Sequence, residues 1–178
     1  MLAQVHALLM AMLRGNPTLI LDSCLVRAKR GGELTGPNPT DRAKMGTKYH
    51  LAVDGDGTPV ACAVTAANVN ETRLFQRLLL AATGVMKRIQ DVFADKGYDN
   101  ERHRAACRAI GARPFIHKRG RPHGSGLGRF RWPVERTLGW LLENKRLGLR
   151  YDRCDYIIRS LLQAGCIFLV VAALAREL

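Results

Sequence analysis

The sequence predicts an α/β protein: a mixed sheet, three antiparallel strands and then parallel ones, flanked by helices. Three observations carry this expectation. Two strand-like runs, Lys48 to Val53 and Pro59 to Thr65, enclose Asp54-Gly55-Asp56-Gly57, residue types that tolerate positive φ and close a hairpin. An earlier apolar run, Thr18 to Val26, is bounded by Asn16-Pro17 and by Lys29-Arg30-Gly31-Gly32, as a buried strand would be. From Glu71 onward helical and strand-like spacings alternate, so the later strands return by crossovers and run parallel to an earlier strand.

The remaining elements follow in order. Met1 to Leu13 reads as an amphipathic helix with Leu2, Val5, Leu9, Met12 and Leu13 on one face. It lacks the basic flank and small-residue cleavage site of a secretory signal. Residues 1–17 are therefore taken as an N-terminal helix or the remnant of a preceding region, and residues 18–178 as one domain. Residues 30 to 46, with Gly31, Gly32, Gly36, Pro37, Pro39 and Gly46, read as a loop. Glu71 to Ala82 has helical spacing through Leu74, Leu78 and Leu79. Asp91 to Ala94 is a short strand ending at Asp95-Lys96-Gly97-Tyr98. A helix over 100–110, capped by Asp99 and stopped by Gly111, precedes a strand from Arg113 to His117. Helices over 133–146 and 154–177 finish the chain. The uncharged run Ser160 to Ala175 is shorter than the roughly 20 residues that span a bilayer, and is expected to be a buried helix.

Composition bounds the partners. The chain has 178 residues, 47% of them apolar, enough for one real core and too many for a disordered protein. Lys and Arg number 28 against 15 Asp and Glu, a formal charge of +13, which calls for a polyanion. Nucleic acid is the first candidate and an anionic membrane surface the second. The five cysteines are an odd set without a C-x-x-C pair, which speaks against a disulfide framework or zinc knuckle and fits a reducing cytoplasm. Between Arg113 and Arg153 eleven Lys and Arg face three acids, so the basic charge is concentrated there. Lys118, Arg119, Arg121, Arg129, Arg131 and Arg136, with Lys145 and Arg146 beyond, are candidate phosphate contacts that position DNA without reading it. Trp140 is expected in the core; Trp132 either stacks on an unpaired base or staples its helix.

Three carboxylates stand out by position. Asp22 interrupts Leu19-Ile20-Leu21 and Asp95 closes Val92-Phe93-Ala94. A carboxylate in a buried strand is costly unless paired or bound to a metal. Glu135 opens a strongly apolar helix in Arg131-Trp132-Pro133-Val134-Glu135-Arg136. If the two Asp-bearing strands are neighbours and this helix crosses their ends, three carboxylates converge into an oxygen cage suited to Mg²⁺ or Mn²⁺. Singly, each has a plainer explanation: a polar bulge, a turn former, a helix N-terminal residue. Asp54 and Asp56 read as hairpin residues, and His103, His117 and His123 as surface residues. His50, Lys96 and Trp132 are candidates to line the site.

At these residues the chain resembles the bacterial insertion-sequence transposases of the IS5 and IS4 type. The matching stretches are ILDSCLVRAKRGGELTGPNPTDRAKMGTKYHLAVDGDGTPV at 20–60, VFADKGYD at 92–99 and RWPVERTLGWLLENKRLGLRYDR at 131–153. Together with the segments between them they cover about residues 18–170. The resemblance implies an RNase H-like fold and a DDE triad on Asp22, Asp95 and Glu135. It implies two Mg²⁺ (or Mn²⁺) ions, DNA strand cleavage and strand transfer, and a nucleoid-associated cytoplasmic protein acting on double-stranded DNA, both element ends and target. Self-association in a transposition complex follows, with a DNA-binding region supplied in trans. Pro133 stands where the family has a β-branched residue, and the helix is expected to begin at Trp132 or Pro133. Two other function classes remain open: a truncated, non-catalytic DNA-binding remnant that inhibits full-length partners, and a simple RNase H-type nuclease.

Overall fold

A computed structural model describes residues 1–118, 120 and 128–177, with 128 and 129 described by backbone alone. The apolar run near the N-terminus forms β1 (Thr18–Arg27), the centre of a six-stranded sheet. On one side β1 pairs antiparallel with β3 (Met45–Asp54), from Leu19↔Asp54 to Arg27↔Gly46. On the other it pairs parallel with β5 (Asp91–Ala94), from Thr18↔Asp91 to Leu21↔Ala94. β6 (Arg113–Ile116) adds in parallel beyond β5. The two-residue β2 (Gly36–Pro37) and β4 (Pro59–Ala66) both pair antiparallel with β3. Three hairpin-like strands followed by two crossover strands is the order the sequence predicts. β2 is the addition, a strand too short to show in a Gly- and Pro-rich loop.

Strand alternation divides the core into two layers. Leu19, Leu21 and Ala52 face α1 (Leu2–Met12), α2 (Thr72–Thr83) and α3 (Glu101–Ala109), meeting Leu74, Phe75, Leu78 and Leu79. Ile20, Leu51 and Val53 face the other way, toward α4 (Gly128–Glu143), the one-turn α5 (Lys145–Gly148) and α6 (Asp155–Glu177), where Val134, Leu138, Leu141, Ile158 and Leu162 close the layer. Among the described residues α6 is the one helix long and apolar enough to cross a membrane, with mean hydropathy 2.1. Its stripe Ile158, Leu162, Cys166 and Val170 is buried in the core, while Phe168 and Val171 are exposed.

Four local expectations are corrected. α1 buries His6 and Met10, with Val5 and Met12 exposed, because His6 Nε2 is drawn 2.8 Å from the Pro59 carbonyl and so rotates the helix. Asn100, not Asp99, caps α3 by accepting from Arg102 N at 2.9 Å, and Asp99 instead pairs with Arg104 at 2.7 Å. His103 is buried, within hydrogen-bond reach of Tyr98 O at 2.8 Å and stacked on Phe75. α4 begins at Gly128, so Pro133 lies inside it.

The hairpin between β3 and β4 holds α4 in place despite that proline. Gly57 sits at φ +87, and a Cβ there would stand 2.6 Å from Arg136 Nη2 and 3.2 Å from Pro133 O. Only glycine admits both the left-handed backbone and this close approach. The Thr137 hydroxyl lies 2.7 Å from Gly57 O and 2.9 Å from Pro133 O, bridging turn and helix. Asp54 is a turn residue, as expected. It is buried and accepts from Asp56 N at 3.0 Å and Thr58 N at 2.8 Å.

Candidate active site

One residue past the last β1–β5 pair, Leu21↔Ala94, come Asp22 and Asp95, so the ladder itself sets the two carboxylates side by side. Asp22 is paired with Leu51 and shares its face, the one covered by α4. Asp95 leaves β5 in extended backbone and leads into the 3₁₀ turn Lys96–Tyr98. Glu135 comes to the same place on α4. Because Pro133 is within the helix, Arg131 and Glu135 are a true i, i+4 pair on one face.

The three carboxylates meet on the Arg131 guanidinium. Arg131 Nη1 donates to Asp95 Oδ1 at 2.7 Å and Nη2 to Glu135 Oε1 at 2.8 Å, while Nη2 also stands 3.9 Å from Asp22 Oδ2. The Asp22 and Glu135 oxygens that share Nη2 are thus no farther apart than the sum of those two distances. Asp22 is the most enclosed, with 18% of its side chain exposed, against 39% for Asp95 and 49% for Glu135. Burial pushes its carboxyl up to about 6; the Ser23 N–H at 2.8 Å and Arg131 pull down, and Asp95 and Glu135 push up. A carboxylate resisting ionisation beside two others is a site that attracts positive charge.

As placed, no three His, Cys, Asp or Glu among the described residues stand close enough to hold a metal ion together. The donor chemistry nonetheless fits one. Hard carboxylate oxygens from β1, β5 and α4 already converge on a cation, and Arg131 lies on a flexible side chain that can withdraw.

The other predicted residues are distributed more widely. His50 pairs with Ser23 on the face opposite Asp22, fully buried, with Nε2 2.8 Å from Thr65 Oγ1. Burial and then Lys48 draw its pKa down to about 4, so it is neutral and does not line the site. Lys96 is exposed in the turn directly after Asp95. Trp132 and Trp140 are both partly exposed, 55% and 37%, and sandwich Arg136, whose guanidinium carbon lies 4.5 and 4.7 Å from the ring centres. Trp140 is therefore outside the core. Arg136 Nη2 also donates to Asp56 O at 2.6 Å, and Arg146 pairs with Asp152. Lys118 and Lys145 are exposed. Arg119, Arg121 and His123 lie outside the described residues, as does the Arg129 side chain.

A six-stranded sheet of four antiparallel strands followed by two parallel ones, covered by helices on both faces, is the RNase H-like fold of transposase catalytic cores, and on it Asp22, Asp95 and Glu135 come together around Arg131. Residues 14–175 match the family described as Transposase DDE domain, and the chain belongs to it. It is 43% identical over 164 residues to a Burkholderia cepacia protein assigned as the transposase of insertion sequence element IS402, covering 86% of this chain and 78% of that one. Two solved structures share the fold: the piggyBac transposase synaptic complex with hairpin DNA (TM-score 0.58, 9% identity) and the catalytic domain of Mos1 mariner transposase (TM-score 0.52, 8% identity). The matches cover 90% and 95% of this chain, but 48% and 86% of theirs, so the chain spans about half the length of the piggyBac protein. The family carries out divalent-metal-dependent phosphoryl transfer on nucleic acid.

Proposed function

We propose that Asp22, Asp95 and Glu135 are the catalytic residues of a DNA strand-cleavage and strand-transfer centre, held on the domain spanning residues 18–178. The observation that carries this reading is the single guanidinium shared by all three carboxylates. Two Mg²⁺ (or Mn²⁺) ions held by these carboxylates would supply charge neutralisation and an acidified water. The chain's own part is to orient the reacting phosphodiester. Asp95 and Glu135 are 39% and 49% exposed, so a duplex could reach them, and Lys118, Arg119, Arg121, Arg129 and Lys145 would hold its phosphates. Arg131 would leave the carboxylates for the substrate's phosphate oxygens, whose planar bidentate recognition suits a guanidinium.

The partners are double-stranded DNA of the element ends and target, a second copy of the chain in a transposition complex, and a DNA-binding region supplied in trans. The work is done in the cytoplasm, on the nucleoid. Purified protein with that region added should nick duplex DNA in Mg²⁺ or Mn²⁺. Asp22→Asn should abolish nicking while keeping metal-free DNA affinity within about twofold, since phosphate contacts belong to the Lys and Arg set. A wild type that binds but never nicks would leave a non-catalytic DNA-binding protein as the correct reading.

A further inference from the structure

On the face of the sheet away from α4 lies a second polar group that the proposed site does not use. Lys48 on β3 is buried, and its ammonium donates to Val69 O at 2.8 Å and to Glu71 Oε2 at 3.0 Å. Burial alone would raise the Glu71 carboxyl, but the Lys48 hydrogen bond, a bond from its own backbone and the Lys48 charge hold it below the usual range. Its other oxygen faces the turn after Asp95. A Cβ added at Gly97 would stand 2.5 Å from Glu71 Oε1, 3.3 Å from Cδ and 3.4 Å from Cγ. The carboxylate thus lies against the turn's backbone, closer than any side chain at position 97 allows.

Gly97 is not among the glycines with positive φ, so its backbone conformation is open to any residue. What requires glycine there is the approach of Glu71. The turn is joined to Asp95 through its own hydrogen bond, Tyr98 N to Asp95 O at 2.9 Å, so a shift at Gly97 moves the peptide that carries the Asp95 carboxylate. The same two elements also meet through apolar packing, Phe75 lying 5.8 Å from Tyr98 and stacking on His103 at 4.3 Å.

We infer that Glu71, clamped by Lys48, is a positioning residue that braces the Lys96–Tyr98 turn from behind and thereby aims Asp95 into the site. This rests on the reading of Asp22, Asp95 and Glu135 as the centre. The second layer of a metal site commonly costs 10- to 100-fold in affinity when lost.

The test is Mn²⁺ binding to the full chain, followed by the electron paramagnetic resonance of free Mn²⁺, with thermal unfolding measured in parallel. Gly97→Ala displaces the carboxylate and should weaken Mn²⁺ binding about 10-fold in a chain that thermal unfolding shows to be still folded at the assay temperature. In a Glu71→Ala background, itself weakened to a similar degree, Gly97→Ala should add less than about twofold, because the contact is already gone. Glu71→Gln keeps shape and the Lys48 hydrogen bond and should stay within about threefold of wild type. Wild-type Mn²⁺ affinity in Gly97→Ala, or losses that multiply in the double variant, would overturn the inference. Asp95→Asn is the control: if it leaves Mn²⁺ binding intact, the site reading itself fails and the inference with it.

Discussion

Arg150 and Arg131 each tie together three stretches of chain, by opposite chemistry. Arg150 is wholly buried, and all its side-chain partners are neutral: Thr47 Oγ1 at 2.6 Å, Asp152 O at 2.7 Å, and Leu34 O and Arg153 O at 3.3 Å. It sits where the loop after β1 meets the entry to α6, and its backbone pairs with Arg27 O at 2.9 Å. Arg131 meets three formal negative charges at a half-open rim. Backbone dipoles fixed by the fold cannot be handed to another ligand. Carboxylates accept any cation that reaches them, and one of higher charge is preferred. The same residue type is therefore a rivet in one region and an exchangeable counter-ion in the other.

The largest expected effect breaks the rivet. Arg150→Met takes the guanidinium donor from the Asp152 carbonyl and the buried Thr47 hydroxyl, at about 1–3 kcal/mol each before relaxation, while Leu34 O keeps the Thr47 hydroxyl and Arg153 O keeps the Glu33 N–H. A loss of roughly 3 kcal/mol or more is expected in urea unfolding, with Mn²⁺ affinity of the folded protein unchanged. An unfolding midpoint equal to wild type would mean that water replaces the guanidinium and that the contrast is false.

At the other arginine the charge balance is testable by pH. Asp22 titrates at about 6 in the folded chain instead of 3.8, so the folded state holds its proton more tightly than the unfolded one. Metal-free stability should therefore fall as pH rises from about 4 to about 6, by up to ~3 kcal/mol from this group. Asp22→Asn removes that dependence, so the variant should exceed wild type above pH 6 and match it below pH 4. If the stability–pH curves of the two proteins run parallel, Asp22 is not the strained carboxylate of the site.

How much of this was legible in the sequence differs between the same two regions. Asp22 and Asp95 could be placed because each breaks an apolar strand, and the hairpin and crossover order made those strands neighbours. Glu135 was legible through its helix. Arg131 was legible as a phosphate candidate and as the residue one turn before Glu135, but not as the partner of all three carboxylates, since nothing local distinguishes a guanidinium for DNA from one shared with carboxylates 36 and 109 residues away. Arg150 carried no signal at all: its partners are backbone carbonyls, which every residue has, and one threonine hydroxyl. The burial of His50 and His103 and the partial exposure of Trp140 were hidden for the same reason, being decided by which helix lands on which face. Glu71 and Gly97 sit in unremarkable local contexts, and their contact exists only once α2 is packed against the turn.

A smaller effect is expected at Arg131 itself. Arg131→Ala takes the shared donor from three carboxylates that are 18% to 49% exposed, so solvent and salt soften the repulsion. About 1 kcal/mol of metal-free stability should be lost, and Mn²⁺, freed of a competing cation, should bind more tightly and restore it. Weaker Mn²⁺ binding in this variant would show the guanidinium to be part of the cage rather than its substitute.

The smallest effect falls on a third arginine, which stands between the two cases. Arg136 is held by the Trp132 and Trp140 faces at 4.5 and 4.7 Å and by Asp56 O at 2.6 Å, neutral partners like those of Arg150, yet on the surface like Arg131. Cation–π contacts at exposed sites contribute about 0.5–1 kcal/mol each, and the two share one cation, so Arg136→Ala should cost about 1 kcal/mol. If neutral partners make a rivet wherever they occur, Arg136 contributes little to DNA, and its loss should change the salt slope of DNA binding by clearly less than the ~1 expected of Lys145→Ala if, as proposed, Lys145 contacts phosphate. A full unit of slope lost in Arg136→Ala would show that the indoles present this guanidinium to phosphate instead of retaining it, and that exposure, not the charge of the partners, decides which arginines are exchangeable.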